Sequence, residues 1–129
     1  MRVFKNAWFE RFARKQDISD KAIVQAMERA EQGLIDADLG GGVIKQRVAR
    51  PGQGKSGGFR TVVLYRTAER AFFVYGFAKS DRDNIGKDEE AQFRKAAGYV
   101  LGLSDEQLAV LIGKGQFSEV HDHDEEIPE

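Results

Sequence analysis

A change in hydrophobic spacing at Gly40, Gly41 and Gly42 is the feature that most constrains how this chain can fold. Before these glycines, apolar residues recur every three or four positions, which is the period of an amphipathic helix. After them, apolar and polar residues alternate, as in a β-strand with one buried face. The helical period returns after Asp83. The sequence therefore predicts an α+β fold in which the strands are grouped between helices.

Two helices are predicted before the glycines. Asn6 is a candidate N-cap for the first helix, whose apolar stripe includes Trp8 and Phe12. Ser19 is a candidate N-cap for the second helix, which is expected to end near Gly33. The few residues before Asn6 are predicted to be extended.

Three later segments predict strands of an antiparallel sheet. Their residues are 43–49, 59–66 and 71–79, and each is rich in β-branched or aromatic side chains. The glycine-rich segment 50–58 predicts a loop. The short link at 67–70 is too brief for a crossover, so the strands on either side of it are expected to pair antiparallel.

Two more helices are predicted near the end of the chain. Acidic residues at 88–90 favour a helix start, and Ser104 with Gln107 fits a capping box. The complete prediction is two N-terminal helices packed on a three- or four-stranded antiparallel sheet, followed by C-terminal helices. Residues 1–113 are expected to form one domain, and residues 114–129 are expected to form an acidic tail.

Composition excludes several classes of protein. The 129 residues include no cysteine, which removes disulfide frameworks, thiolate zinc sites and cysteine nucleophiles. No apolar run approaches the roughly 18 residues that a membrane span needs, so a cytoplasmic protein without a membrane partner is expected. His121 and His123 are the only histidines and lie in the predicted tail. With Asp122 and Asp124 they could ligate a metal, but a tail of this composition is more typical of solvated chain, so we expect neither a metal site nor a cofactor.

Residues 49–56, with the sequence ARPGQGKS, match a loose form of the phosphate-binding loop. That motif requires a helix at its Lys-Ser end, because the helix N-terminus binds the phosphates. Here Gly57 and Gly58 follow, and then the β-branched run at 61–63 predicts a strand instead. The sequence thus argues against a nucleotide-hydrolysing protein.

The charges are distributed unevenly along the chain. The net charge is −1, but residues 1–80 carry +7 and residues 81–129 carry −8. Within 41–80, eight basic residues accompany one acidic residue, Glu69. Such a segment is typical of a surface that binds an anion such as RNA, although it is equally compatible with a solvated face that keeps the protein soluble.

Five basic residues are the candidate catalytic set. Lys45 and Arg47 are two positions apart, so they project from the same face of one strand. The others are placed near the ends of the following strands, and the full set is Lys45, Arg47, Arg60, Lys79 and Arg82.

A second set is a candidate for contacts with RNA. Tyr75 and Phe77 alternate along the third strand near the cations, which suits stacking on bases, although burial in the core is the competing interpretation. The set is Arg50, Lys55, Arg66, Tyr75 and Phe77.

Several short motifs occur in an order that resembles a known family. They are IKQRVA at 44–49, GFR at 58–60 and YGFAKSDRDNI at 75–85. Together they resemble the RelE/HigB toxin superfamily, and especially its HigB2-like branch, from bacterial type II toxin–antitoxin modules. The likeness covers roughly residues 41–101 and fits the preceding pair of helices.

The resemblance implies a RelE-like microbial RNase fold and a metal-independent endonuclease. Such an enzyme cuts mRNA on the ribosome, inhibits translation and is neutralised by a cognate antitoxin, which in this branch is usually a helix-turn-helix (HigA-like) protein. On this chain, Lys45 and Arg47 would bind phosphate or assist proton transfer. Arg60 would face the scissile phosphate, and Lys79 and Arg82 would complete the anion site.

Two positions depart from the better-known members. Ser80 follows the strand-end lysine where those members carry arginine, and Gly86 stands where some carry a catalytic tyrosine. These departures keep open a catalytically weak or inactive RNA- or ribosome-binding protein. A third interpretation is an unrelated α+β domain whose basic strip binds an acidic partner.

Overall fold

The computed structural model describes residues 1–50 and 54–121. Within these residues the chain forms six strands and four helices. In chain order they are β1 (Arg2–Asn6), α1 (Ala7–Gln16), α2 (Asp20–Glu31), β2 (Ala37–Gly40), β3 (Val43–Arg50), β4 (Gly54–Arg66), β5 (Arg70–Ala78), α3 (Lys87–Val100), α4 (Asp105–Gly113) and β6 (Phe117–Val120).

The strands form one mixed sheet with the order β2-β3-β4-β5-β1-β6. β1 runs parallel to β5, and every other pair of neighbours is antiparallel. The predicted α+β class is confirmed, but the predicted three or four strands and the purely antiparallel pairing are wrong. β1, β2 and β6 have only four or five residues each, which is too short for an alternating pattern to be recognised. The residues before Asn6, which were predicted to be extended, form β1, although its place inside the sheet was not predicted.

Helices cover both faces of the sheet. On one face, α1 and α2 bury a core that includes Phe9, Ile23 and Phe73. On the other face, α3 and α4 cover a second core that includes Leu64 and Leu108. On β3, Ile44 and Val48 lie in the first core, and Lys45 and Arg47 alternate with them, as their spacing predicted.

The predicted helix caps are confirmed. The Asn6 side chain accepts a hydrogen bond from the Phe9 amide at 2.8 Å, and the Ser19 hydroxyl accepts one from the Ala22 amide at 3.1 Å. Ser104 and Gln107 form the predicted capping box at the start of α4. These caps satisfy amide groups that the first turn of a helix leaves without partners.

The predicted loop at 50–58 is wrong for the residues that the structure describes. β3 extends to Arg50 and β4 begins at Gly54, so much of the glycine-rich segment continues the hairpin; residues 51–53 lie outside the described residues. A Cβ atom at Gly58 would come within 2.7 Å of the Val48 carbonyl oxygen and 3.0 Å of Arg47 Cγ. Glycine here permits close pairing of the strands rather than a turn.

β6 was not predicted from the sequence. It pairs with β1 within the segment that was interpreted as a tail, and Val3 lies opposite Val120. Residues 122–129, including His123, lie outside the described residues. No helix in the described part of the chain is long and apolar enough to cross a membrane.

Candidate active site

A cleft of about 210 Å³ opens beside β3 and β4. Lys45 lies opposite Val62, and Val62 belongs to the core under α3 and α4, so the cleft is on that face of the sheet. The residues that line it are Asp36, Ala37, Lys45, Gln46, Arg47, Arg60, Phe77, Asp83 and Asn84.

Two arginines face each other across the strands in this cleft. Arg47 on β3 is paired in register with Arg60 on β4, and Arg60 is paired with Phe77 on β5. Like charges directly opposite each other in a sheet repel. In addition, Nε of Arg47 and Nη1 of Arg60 are buried and have no hydrogen-bond partner among the described residues. Buried donors without acceptors are costly, so this pair is suited to an anion that would satisfy both.

Lys45 links the cleft to the loop that follows β5. Its Nζ donates a hydrogen bond to Oδ1 of Asn84 at 3.0 Å, and the same oxygen accepts the Ile85 amide at 2.9 Å. The asparagine is neutral, so this hydrogen bond does not pair Lys45 with an acidic group.

The backbone of Arg47 is fixed from two sides. Its carbonyl accepts a hydrogen bond from Nη2 of Arg29 on α2. Its amide donates to Oδ2 of Asp36 at 2.5 Å. Gly58 leaves room beside the Arg47 side chain, which forms no ion pair within the described residues.

Arg82 is held at the rim of the cleft. It forms an ion pair with Glu89 and donates to the Tyr75 hydroxyl and the Asn84 carbonyl, both at 2.9 Å. Its guanidinium lies 5.7 Å from the centre of the Tyr75 ring and 5.9 Å from that of Phe77. The hydrogen bond from Arg82 lowers the pKa of Glu89 and raises the pKa of Arg82. Unlike the cleft arginines, Arg82 already has an acidic partner.

The other basic candidates lie apart from this cluster. Lys79 is exposed in the turn after β5 and does not line the cleft. Arg50 is exposed at the end of β3, with its guanidinium 5.2 Å from the ring centre of Phe59. Arg66 is six positions along β4 from Arg60, roughly 20 Å away, and pairs with Glu69 at 3.6 Å. The side chain of Lys55 lies outside the description.

The two aromatic candidates are placed differently. Phe77 lines the cleft but is only 5% exposed. Tyr75 is half-buried, and its ring centre lies 4.7 Å from that of Trp8. Both rings therefore belong largely to the core, and base stacking on either of them stays a prediction.

Four polar residues that line the cleft were not predicted as site residues from the sequence: Asp36, Gln46, Asp83 and Asn84. Gln46 had a detectable signal, because it occupies an inward position between Ile44 and Val48 in an otherwise apolar alternation. Asp36 lies in the connection between α2 and β2, where no periodic pattern marks it.

The structure is thus an α+β protein with a mixed sheet between two pairs of helices, and its cleft holds two arginines that lack acidic partners within the described residues. A family model described as the RelE toxin of the RelE/RelB toxin–antitoxin system matches residues 1–120. The chain therefore belongs to the RelE toxin family, as the motifs indicated. No curated protein matches the chain at a significant level. Its place in the HigB2-like branch stays a prediction.

Proposed function

We propose that this chain is an endoribonuclease of a type II toxin–antitoxin module, which inhibits translation by cutting mRNA on the ribosome without a metal ion. Membership of the RelE toxin family supports the toxin assignment. The observation that carries the catalytic assignment is the facing pair Arg47 and Arg60, whose buried guanidinium nitrogens lack acceptors among the described residues.

The chemistry of RNA cleavage matches this arrangement. The 2′-oxygen attacks the neighbouring phosphorus, and negative charge accumulates on the phosphorane oxygens. Preorganised cations stabilise that charge without having to rearrange during the reaction. In our proposal Arg60 faces the scissile phosphate, and Arg47 binds a second oxygen of the same group.

Lys45 has the second role in this proposal. Its ammonium group lies in the same cleft as the two arginines and is held by the neutral Asn84. An ammonium group beside the scissile phosphate can protonate the 5′-oxygen as it leaves. Arg82 and Lys79, at the rim and beyond it, would bind flanking phosphates, together with Arg50 and Lys55.

Two partners follow from the proposed activity. One is mRNA in the ribosome, which would position the substrate strand. The other is a cognate antitoxin, since the matched family is named for a toxin–antitoxin system. We propose that this antitoxin is a helix-turn-helix protein of the HigA type.

The test is to map RNA ends on a defined mRNA in a bacterial translation extract that contains the purified protein. We expect cuts at in-frame positions only while translation proceeds, and none with Arg60→Ala. Arg66→Ala is the matched control, because Arg66 lies on the same strand but roughly 20 Å from the cleft. Cuts that persist when translation is blocked would make the protein a free RNase. Full activity of folded Arg60→Ala would contradict the proposed site.

A second candidate function is ribosome or RNA binding without cleavage. It is favoured by the ion pair that Arg82 already makes with Glu89, together with the departures at Ser80 and Gly86. In that case the wild-type protein would sediment with ribosomes, and no new RNA ends would appear during translation.

A further inference from the structure

The carboxylate of Asp36 lines the cleft, and the roles proposed above for the cations do not include it. Asp36 lies directly before β2 and lines the cleft together with Lys45, Arg47 and Arg60. It forms no ion pair within the part of the chain that the structure describes, although three cations share its cleft. Its charge is therefore not neutralised by a fixed partner.

Gln46 holds the segment that carries Asp36. Its side chain is only 1% exposed. Nε2 donates to the carbonyls of Ala26 and Leu34, both at 3.0 Å, and Oε1 accepts the Asp36 amide at 3.1 Å. A buried amide with its polar groups satisfied is rigid. The connection between α2 and β2 is thus fastened to the core immediately beside the cleft.

The carboxylate of Asp36 is itself oriented. Oδ2 accepts the backbone amide of Arg47 at 2.5 Å, which leaves Oδ1 available to a ligand in the cleft. Asp38 on β2 offers a contrast, because its carboxylate accepts the Gly40 amide at 2.9 Å but does not line the cleft. Of the two aspartates that line the cleft, Asp36 and Asp83, only Asp36 has a carboxylate that is fixed by a hydrogen bond within the described residues.

We infer that Asp36 is the general base of the RNA cleavage proposed above, on which this inference rests. Its carboxylate takes the proton from the 2′-hydroxyl of the nucleotide bound at Arg47 and Arg60. The 2′-oxygen then forms a bond to phosphorus, the bond from phosphorus to the 5′-oxygen breaks, and that oxygen takes a proton from Lys45. The products are a 2′,3′-cyclic phosphate and a 5′-hydroxyl. Exchange with water returns a proton to Lys45 and removes one from Asp36.

The experiment measures single-turnover cleavage on bacterial ribosomes stalled on a defined mRNA, with the toxin in excess. Asp36→Asn keeps an oxygen that can accept the Arg47 amide but removes the basic group. We expect its cleavage rate to fall about 100-fold or more, as is typical for loss of a general base. Binding to the stalled ribosomes should stay unchanged, and Asp36→Glu should recover part of the rate. Asp38→Asn, the matched control, should cut within about threefold of wild type.

The outcomes separate this inference from the proposed function. If wild type cuts and Asp36→Asn cuts equally fast, Asp36 is not the base, whereas the endonuclease assignment stands. If Asp36→Asn cuts more slowly but also binds ribosomes more weakly than Asp38→Asn, Asp36 has a binding role and the inference is wrong. If Asp36→Asn cuts more slowly but also has a lower thermal midpoint than Asp38→Asn, Asp36 has a structural role and the inference is again wrong. If wild type does not cut, both proposals are wrong.

Discussion

Arginine lies opposite arginine at three register positions of this sheet, and two of these pairs, which share no residue, have opposite surroundings. Arg2 on β1 is in register with Arg70 on β5, and Arg47 on β3 is in register with Arg60 on β4. The sequence presents both pairs in the same way, as basic residues at strand positions. Only the structure shows which of these charges are compensated.

The pair at β1 and β5 is neutralised by acidic residues from distant parts of the chain. Arg2 donates twice to Glu119 on β6, with both distances 2.9 Å. Arg70 donates to the Leu103 carbonyl at 2.6 Å and to Asp105 at 2.5 Å, so it fastens the start of α4 to the sheet. These arginines connect elements of the fold. The pair in the cleft has no such partners among the described residues, and this contrast is the support for the anion-binding role that we propose for it.

The largest expected effect comes from removing a cation of the cleft. Arg47→Met keeps the apolar stem beside Gly58 and should lower the cleavage rate about 100-fold or more, the usual cost of one preorganised donor to the transition state. The free energy of unfolding should stay equal or rise slightly, because repulsion from Arg60 is relieved. Cleavage by stalled-ribosome assay and urea unfolding check the two parts. If Arg47→Met unfolds at lower urea concentration than wild type and still cuts RNA at the wild-type rate, Arg47 stabilises the fold and does not act in cleavage.

Removing a cation of the neutralised pair should lower the stability of the fold and leave the cleavage rate unchanged. Arg70→Met deprives the Leu103 carbonyl and Asp105 of a donor that is only 11% exposed. Loss of such charge-assisted hydrogen bonds should lower the free energy of unfolding by about 1–3 kcal/mol. The folded protein should cut RNA at the wild-type rate. Arg66→Met, which removes an exposed arginine from the neighbouring strand, should change the unfolding curve much less.

Inorganic phosphate should distinguish the two pairs without any RNA. A ligand that binds only the folded state at tenfold its dissociation constant stabilises that state by about 1.4 kcal/mol. We expect phosphate to raise the thermal midpoint of wild type and of Arg70→Met, but not that of Arg47→Met. Sodium chloride at matched ionic strength is the control for screening. An equal rise in all three proteins would show that the cleft arginines do not bind the anion.

The smallest effect should be a pH dependence at the Arg2 pair. The hydrogen bond from Arg2 lowers the pKa of Glu119. Stability from this carboxylate is therefore present above its ordinary pKa and is lost as the pH falls through the lowered value. Arg2→Ala should cost up to about 1 kcal/mol at pH 7, as partly exposed pairs do. In urea unfolding this difference should shrink as the pH is lowered towards about 3. A difference that stays constant with pH would assign the effect of Arg2 to packing on Phe4.

The parts of the fold that could be predicted were those with long periodic patterns or specific caps. The helices at Asn6, Ser19 and Ser104 and the strands around Lys45 and Arg60 have such local signals. β1 could not be recognised as a sheet strand, because Val3, Phe4 and Lys5 are all buried and do not alternate. Its pairing with β5 and β6 depends on contacts between distant residues.

The candidate site was predictable to a similar extent. The two-residue spacing of Lys45 and Arg47 and the glycine before Arg60 indicated three of the lining cations. The place of Arg66 far from the cleft follows from its six-residue spacing from Arg60 along one strand, so the strand prediction already contained it. The ion pair between Arg82 and Glu89 connects the loop after β5 to the first turn of α3. The sequence patterns of the loop and of the helix do not show that these two side chains meet.

The position of β1 between β5 and β6 has a consequence for the order in which the molecule is assembled. β3, β4 and β5 are consecutive along the chain and adjacent in the sheet, so they can pair with one another as soon as they have been synthesised. β1 precedes these strands in the chain, but it pairs with residues 70–78 and 117–120, which are far from it in sequence. Contacts of such long sequence separation slow folding. We therefore expect the arginine cleft to form early, and the joining of β1 to β6 to be a late step of folding.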